Sequence, residues 1–140
     1  MGGTMTVDLA RKLEELLGKE KVLSSEADRL CHSYDATPLV SHLPEVVVRA
    51  STEEDVHVVL ETAAKEGATV TPRGSGTGLS GGSVPVDGGI VLLTTGMNRI
   101  LDVDADDLSV TVEPGVITAD LHAAVEAEGL FYPPDPGSMK

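Results

Sequence analysis

Apolar residues recur along the first part of the chain with the spacing of amphipathic helices. Residues 6–17 carry leucines at helical intervals, and Gly18 is placed to end that helix. A second helix is predicted over residues 25–33. The residues expected to face inward are Leu9, Leu13, Leu16 and Leu17 in the first helix and Ala27, Leu30 and Cys31 in the second. Because a proline-bounded linker follows, we expect residues 1–43 to be a helical lead-in.

Short apolar runs replace this pattern after residue 44. Residues 46–48 form a continuous apolar run typical of a strand covered on both faces, and residues 68–71 and 90–93 are predicted to be the second and third strands. Between the first two runs, Thr52 and Asp55 form a capping box that begins a helix. The helix is predicted to end at Gly67 and to bury Val56, Val59, Leu60, Ala63 and Ala64. Strand, helix and strand in this order predict a right-handed βαβ unit.

Alternating apolar and polar positions predict a β-hairpin further along the chain. Its strands are residues 100–103 and 108–112, which flank an acidic turn. Thr118 is the predicted N-cap of a last helix that buries Leu121, Ala124 and Val125 and ends at Gly129. Together these elements predict an α+β fold in three parts, which are residues 1–43, 44–103 and 104–140.

Composition narrows the possible functions. The 140 residues include 23 acidic and 10 basic side chains, giving a net charge of −13 without the basic stripe that a nucleic acid requires. No apolar run approaches the roughly 20 residues of a membrane span, so no transmembrane segment is predicted. One cysteine, Cys31, excludes an internal disulfide and favours a reducing compartment. We therefore predict a cytoplasmic protein and a half-buried thiol.

Glycines concentrate in one stretch of the chain. Seven of the 15 lie within residues 74–89, and glycine destabilises regular structure by about 0.5–1 kcal/mol relative to alanine. Such a cluster indicates positive φ angles or a ligand lying against the backbone. Successive N–H groups from Gly74 to Gly78, with the hydroxyls of Ser75 and Thr77 and the charge of Arg73, can surround a diphosphate without a metal or a lysine. We call residues 74–83 the glycine loop; it favours a dinucleotide cofactor over a triphosphate substrate.

Three familiar motifs match the glycine loop without their structural context. Residues 76–81 fit the GxGxxG fingerprint, which needs a helix where glycine and proline follow here. Residues 76–83 resemble a P-loop, but Gly82 stands where the lysine is required. Residues 78–82 fit GxSxG, but no predicted strand enters Ser80 and no helix leaves it. Nucleoside triphosphate hydrolysis and serine hydrolysis are therefore not expected.

The acidic hairpin offers a calcium-binding alternative. Asp102, Asp104, Asp106 and Glu113 stand at positions 1, 3, 5 and 12 of a calcium-loop pattern, but Asp107 replaces the required glycine and the flanks resemble strands. The four histidines are scattered, and no pair has the spacing of zinc ligands. We predict no metal site; calcium-dependent melting would support the alternative.

The glycine loop also carries a family resemblance. With the two residues before it, it reads Pro-Arg-Gly-Ser-Gly-Thr-Gly-Leu-Ser-Gly-Gly-Ser and resembles the FAD-linked oxidases of the vanillyl-alcohol-oxidase superfamily, which have a PCMH-type FAD-binding domain. More narrowly, it is similar to the branch of the glycolate oxidase large subunit and D-lactate dehydrogenase. Weaker matches follow in the same order at residues 34–36, 44–51, 112–116 and 134–138.

The resemblance implies FAD as the cofactor and assigns residues to it. The glycine loop would wrap the pyrophosphate, and a segment near the end of the chain would approach the flavin from a second subdomain. The residues so implied are Arg73, Gly74, Ser75, Gly76, Thr77, Gly78, Ser80, Gly81, Gly82, Pro134, Asp135, Gly137 and Ser138. Thr77 stands where relatives with covalently linked FAD have histidine, so non-covalent FAD is expected. Residues 44–103 would be the first FAD-binding subdomain and residues 104–140 the start of a second, truncated one.

The resemblance further implies a flavin-dependent dehydrogenase or oxidase that oxidises a small 2-hydroxy acid, of the glycolate or D-lactate type, by hydride transfer to FAD. In the family, the residues that hold this substrate lie in a C-terminal half without a counterpart here. No catalytic residue or electron acceptor is therefore assigned, and the chain alone is expected to be inactive. The alternative is a non-catalytic nucleotide-binding subunit or a split-enzyme half completed by another chain. The reading frame after the Lys140 codon distinguishes these readings.

Overall fold

The fold is described from a computed structural model that covers residues 3–137. These residues form two compact units that divide between Gly96 and Met97. The division lies earlier than the sequence-based boundary after residue 103, because the two hairpin strands pair with each other and so stay in one unit. No helix in this part of the chain is long and apolar enough to cross a membrane.

The first unit is built on a four-stranded sheet. Its elements are α1 (Gly3–Leu17), β1 (Val22–Leu23), α2 (Glu26–Cys31), β2 (Val46–Arg49), α3 (Glu53–Glu66), β3 (Val70–Arg73) and β4 (Ile90–Leu93). The strand order is β1-β2-β4-β3. β4 is parallel to both of its neighbours, and β1 is antiparallel to β2. The predicted strand, helix and strand are therefore present, with β4 inserted between β2 and β3.

The core of this unit consists of aliphatic side chains on the two central strands and the helices that cover them. Val46, Val47 and Val48 in β2 and Ile90 and Val91 in β4 are completely buried. α1 contacts α3, β1 and β2, and α3 contacts β4. Because neighbouring elements cover these strands, their sequences are continuous apolar runs, as predicted.

The predicted capping box begins α3. Thr52 Oγ1 accepts a hydrogen bond from the Asp55 N–H at 3.2 Å, and Asp55 Oδ2 accepts one from the Thr52 N–H at 3.1 Å. Lys21 Nζ donates to Asp55 Oδ1 at 2.7 Å. Burial alone would raise the pKa of Asp55, but hydrogen bonds from Lys21 and Ser51 hold that pKa below its usual value. Asp55 thus joins the start of α3 to the segment between α1 and β1.

Replacing Asp55 by asparagine is expected to lower the free energy of unfolding at pH 7 by about 1–2 kcal/mol, because the cap and the ion pair are weakened. The folded-state pKa lies below the unfolded value. The carboxylate's contribution is therefore complete above about pH 4 and disappears as the pH falls through the folded-state pKa. Urea unfolding should show a gap between wild type and variant that narrows from pH 7 to pH 3.

The control for this experiment is Glu54→Gln, which removes an exposed carboxylate from the same helical turn. Its effect should stay within about 0.5 kcal/mol. An equal gap between wild type and the Asp55 variant at both pH values would contradict the assigned role of the carboxylate.

Several predicted helix faces are wrong. Leu16 in α1, Leu30 in α2 and Leu60 in α3 are 61%, 58% and 50% exposed. In α3, Val59 and Ala63 are buried as predicted, and the other buried positions are the polar residues Asp55 and Thr62. No residue of the six-residue α2 is buried, so the thiol of Cys31 is exposed instead of half-buried. Ala27 and Ala64 are exposed as well.

The lead-in is joined to the sheet more closely than its sequence indicates. β1, which the sequence does not predict, pairs Val22 with Val48 of β2. Arg29 Nε donates to the Pro44 carbonyl at 2.7 Å, and an isolated β-bridge joins Tyr34 to Ser41. Residues before β2 therefore contribute to the first unit a strand and a loop that is held by hydrogen bonds.

The second unit contains the predicted hairpin and one helix. β5 (Ile100–Asp104) pairs antiparallel with β6 (Ser109–Val112), and α4 (Thr118–Ala127) follows. Thr118 is wrong as an N-cap, because it is the first helical residue and Ile117 occupies the cap position without a side-chain hydrogen bond. Leu121 and Val125 are buried as predicted.

Candidate functional site: the glycine loop

The glycine loop leaves the sheet at the carboxyl end of β3. Arg73, the last residue of β3, stands opposite Leu93 of β4, and the Thr94 N–H donates to the Arg73 carbonyl at 3.0 Å. On the other side of β4, Leu93 pairs with Arg49, the last residue of β2. The carboxyl ends of three parallel strands therefore meet where the loop begins. Open α/β sheets bind their ligands at this edge.

The backbone of the glycine loop offers hydrogen-bond donors. Within residues 3–137, no acceptor pairs with the backbone N–H groups of residues 74–82, whereas the Ser83 N–H is hydrogen-bonded to Asp35. Most of these residues are exposed. No helix lies between β3 and β4, which confirms that the GxGxxG, P-loop and GxSxG patterns lack their context. Exposed N–H groups that directly follow a strand are suited to bind the oxygen atoms of an anion.

Gly76 is the loop position at which both the backbone conformation and the neighbouring atoms require glycine. Its φ is +73°, in the left-handed region that other residues avoid. A Cβ atom at this position would overlap with the guanidinium of Arg73. The side chain of Arg73 therefore lies directly against the backbone of the loop.

Arg73 is buried and points at backbone carbonyls. It is 7% exposed, and its Nη1 donates to the Tyr34 carbonyl at 2.7 Å and to the Ser83 carbonyl at 3.5 Å. Burial lowers the pKa of Arg73, while the nearby charge of Asp35 opposes that change. An arginine stays protonated under these conditions. Its positive charge is consequently held beneath the glycine loop.

Asp35 is a second buried charged residue that contacts the glycine loop. Its carboxylate accepts hydrogen bonds from the Thr37 N–H at 2.8 Å and from Ser83 Oγ at 3.3 Å. The neighbouring Ala36 N–H donates to the Gly78 carbonyl at 3.1 Å. The hydrogen bond from Thr37 lowers the pKa of Asp35 against the opposing effect of burial. Asp35 is thus an anion at neutral pH, and it is 8% exposed.

Tyr34, Asp35 and Ser83 are missing from the predicted site although they contact it. The available signal was the run Tyr34-Asp35-Ala36, which belongs to the family resemblance but has no recognisable chemistry by itself. Nothing in the sequence places a segment forty residues upstream against the loop. Only the folded backbone shows that contact.

The remaining predicted site residues belong to the second unit. Pro134, Asp135 and Gly137 lie in an exposed, irregular segment after α4. His122 Nε2 donates to the Pro134 carbonyl at 3.0 Å, and the ring of His122 meets that of Tyr132 edge to face at 5.4 Å. Ser138 lies outside the described residues. α4 therefore fixes the position of Pro134 within its own unit.

The acidic hairpin uses its carboxylates internally. Glu113 accepts two hydrogen bonds from the Arg99 side chain, at 2.6 and 3.0 Å, and one from the Arg99 N–H at 2.7 Å. Asp104 accepts hydrogen bonds from the N–H groups of Asp106 and Asp107 in the turn. Between residues 3 and 137, no three His, Cys, Asp or Glu side chains are grouped to hold a metal ion. The geometry gives the calcium alternative no support.

A family model described as an FAD binding domain matches residues 44–140. The chain belongs to the FAD-binding domain family. The resemblance carried by the glycine loop is thereby confirmed, and so is FAD as the cofactor of the domain. The glycine loop lies inside the matched region.

Curated relatives have names that agree with the narrower resemblance. The chain is 45% identical over 136 residues to glycolate oxidase subunit GlcD of Bacillus subtilis (strain 168), covering 97% of this chain and 29% of that protein. It is 34% identical over 133 residues to a D-lactate dehydrogenase of Anaerostipes hadrus, covering 95% and 28%. The chain therefore spans less than a third of the length of these relatives.

Solved structures confirm the fold. A 4-ethylphenol oxidase from Gulosibacter chungangensis, solved as an isoeugenol complex, superposes with a TM-score of 0.84 at 26% identity, over 100% of this chain and 28% of that one. A p-cresol methylhydroxylase with substrate bound gives a TM-score of 0.80 at 23% identity, over 93% and 26%. The mixed α and β architecture is therefore that of a PCMH-type FAD-binding domain.

Proposed function

We propose that this chain is the FAD-binding portion of a flavin-dependent oxidoreductase that oxidises a small 2-hydroxy acid of the glycolate or D-lactate type. The substrate class rests on the names of the relatives, which are glycolate oxidase and D-lactate dehydrogenase. A cytoplasmic location belongs to the same proposal and rests on the single cysteine of the sequence.

The observation that carries the proposal is the glycine loop, which lies at the carboxyl edge of a parallel sheet. The N–H groups of its residues 74–82 have no acceptor within the described residues. A diphosphate presents several oxygen acceptors to such donors. The positive charge of Arg73 beneath Gly76 favours an anion in a chain whose net charge is −13. The loop therefore fits the pyrophosphate of FAD.

The residues proposed to hold the pyrophosphate are Gly74, Ser75, Gly76, Thr77, Gly78, Ser80, Gly81 and Gly82, with Arg73 at the base of the loop. Pro134, Asp135, Gly137 and Ser138 are proposed to approach the flavin. Thr77 has a hydroxyl and no nucleophilic nitrogen, which favours a non-covalent cofactor. Bound FAD would supply the acceptor for the hydride removed from the substrate. Substrate recognition is assigned to the part of the relatives that this chain does not span.

Titration of the ¹⁵N-labelled 140-residue chain tests the cofactor site. Inorganic pyrophosphate and ADP should shift the amide resonances of the glycine loop selectively, because its N–H groups are open donors. FAD itself should bind weakly or not at all, and the chain alone should not turn over glycolate or D-lactate.

Two outcomes would contradict parts of this proposal. Loop resonances that stay unchanged at millimolar pyrophosphate and ADP would remove the pyrophosphate site. A chain that purifies with a flavin spectrum and reduces a dye with glycolate or D-lactate would show that the remaining length of the relatives is not required.

A chimera tests whether this chain can serve as the FAD-binding portion of such an enzyme. The 136 aligned residues of this chain would replace the matching segment of glycolate oxidase subunit GlcD, to which they are 45% identical. The proposal predicts a flavin-containing protein that oxidises glycolate or D-lactate with an artificial electron acceptor. A folded chimera that retains no flavin, while the parent GlcD does, would contradict the proposed role as the FAD-binding portion.

A further inference from the structure

The segment of residues 34–37 has no part in the proposed cofactor contacts, yet it touches the glycine loop at several points. The Tyr34 carbonyl accepts from Arg73, the Asp35 carboxylate accepts from Ser83 Oγ, and the Ala36 N–H donates to the Gly78 carbonyl. We call residues 34–37 the bracing segment. Its contacts are polar and directional, so they fix positions in the loop.

The two ends of the glycine loop are tied to the same place. Arg73 immediately precedes the loop, and its main chain is held by Thr94 at the edge of the sheet. Its guanidinium reaches across to the carbonyl of Ser83, the last residue of the loop, while Ser83 Oγ donates to Asp35. Between these ends, Gly76 lies against the guanidinium. Arg73 therefore contacts both the end and the middle of the loop, and Asp35 contacts its last residue.

The charges of Arg73 and Asp35 have opposite effects on an anion at the proposed site. Arg73 adds a positive charge under the loop, and the buried, ionised Asp35 adds a negative charge nearby. If charge were the main contribution of Asp35, the residue would weaken anion binding. If geometry were its main contribution, Asp35 would strengthen binding by ordering the donors beforehand, because a preorganised site loses less entropy when the ligand arrives.

We propose that Asp35 and Arg73 are positioning residues that hold the glycine loop in its anion-binding conformation before the cofactor binds. Neither residue needs to contact the diphosphate for this role. The inference rests on the proposed function for the identity of the ligand. The ordering of the loop itself is a property of the unliganded chain and can be measured without any ligand.

Two substitutions at Asp35 separate charge from geometry. Asp35→Asn removes the negative charge but retains an oxygen that can accept from the Thr37 N–H and an amide group that can pair with Ser83. Asp35→Ala removes the charge and both hydrogen bonds. Asp87→Ala is the matched control, because it removes an exposed carboxylate from the same connection between β3 and β4.

The experiment uses the 140-residue chain without ligand and then with inorganic pyrophosphate. Loop order is measured by amide hydrogen exchange and ¹⁵N relaxation of residues 74–83, and affinity by the shifts of the same amides. We expect Asp35→Ala to increase loop mobility and to weaken pyrophosphate binding about fivefold or more, which corresponds to ~1 kcal/mol. Asp35→Asn should keep the loop ordered and bind within about twofold of wild type or tighter, and Asp87→Ala should keep wild-type loop order.

A loop that is equally ordered in wild type and Asp35→Ala would overturn the proposal, and so would tighter pyrophosphate binding by Asp35→Ala. If wild type fails to bind pyrophosphate, the proposed function fails, while loop order in the unliganded variants still decides the positioning role. If Asp35→Ala does not fold, the double variant Asp35→Asn with Ser83→Ala is used instead. It keeps the oxygen for the Thr37 N–H but removes the Ser83 hydroxyl and places an amide group, which cannot accept, towards the Ser83 N–H. Wild-type loop order in this double variant would then refute the role of Asp35.

Discussion

Replacing Gly89 by alanine is expected to lower the free energy of unfolding by about 3–5 kcal/mol, whereas Gly88→Ala should cost about 1–2 kcal/mol. Both glycines have positive φ, +73° at Gly88 and +67° at Gly89, so both substitutions strain the backbone. They differ in the space around them. Among the described residues, apart from its chain neighbours, nothing lies within 4 Å of a Cβ built at Gly88, but a Cβ at Gly89 would overlap with the carbonyl and hydroxyl oxygens of Thr69.

The overlap at Gly89 cannot be relieved by rotating one side chain. The Thr69 carbonyl accepts a hydrogen bond from the Ile90 N–H at 2.8 Å, at the start of the pairing between β3 and β4. On the other side, the Gly89 carbonyl accepts from the Glu45 N–H at 2.8 Å, next to β2. Moving either chain to admit a methyl group would break hydrogen bonds at the buried end of the central strand, where an unpaired group is costly.

Urea or thermal unfolding of both variants measures this difference, and Gly88→Ala is the control for backbone strain alone. Circular dichroism should first confirm that each variant folds. Equal losses in the two variants would mean that the strands around Gly89 can separate slightly at little cost, and that the close approach of Gly89 and Thr69 is not a requirement of the fold.

The central sheet was predictable from sequence because its signal is local and redundant. The runs around Val47 and Val91 contain adjacent apolar residues, which only a strand covered on both faces can bury. The capping box of Thr52 and Asp55 is similarly local, and both of its hydrogen bonds are present. The two-residue β1 lacks such a signal, because its pairing depends on a partner more than twenty residues away.

The helix faces were less predictable because hydrophobic spacing does not reveal which side of a helix meets the sheet. Leu60 and Val59 are neighbours on α3, and spacing alone accepts both as buried. The structure buries Val59 and exposes Leu60, and it places Asp55, which pairs with Lys21, on the buried face with Val59. A rule based on apolar residues does not expect a carboxylate on that face.

The position of the candidate site was predictable from the sequence, but the contacts that hold the glycine loop in place were not. The concentration of glycines after a strand located the glycine loop, since few other functions require it. The role of Arg73 differs from a simple ligand contact, because its guanidinium is directed to the carbonyls of Tyr34 and Ser83. A buried arginine and an exposed one have the same appearance in a sequence.

Gly76→Ala is expected to weaken the anion response of the glycine loop at least tenfold, whereas Gly74→Ala should largely preserve it. A methyl group at Gly76 would overlap with the Arg73 guanidinium, at a φ of +73°. At Gly74 there is no atom within 4 Å of an added Cβ, and its φ lies outside the left-handed region. The two substitutions therefore add the same methyl group to the same loop, and only one displaces Arg73.

The displacement at Gly76 acts on the loop in two ways. Arginine is flexible, but this guanidinium is buried and bonded to two carbonyls, so moving it leaves the Tyr34 carbonyl without its donor. Alanine at position 76 must also leave the left-handed conformation, or the strain of staying in it costs about 1–2 kcal/mol. Pyrophosphate titration should show at least a tenfold weaker response in Gly76→Ala, or ~1.4 kcal/mol, and a change within about twofold in Gly74→Ala. A wild-type response from Gly76→Ala would mean that the donors are arranged by the ligand when it binds, and that the conformation around Arg73 does not prepare them.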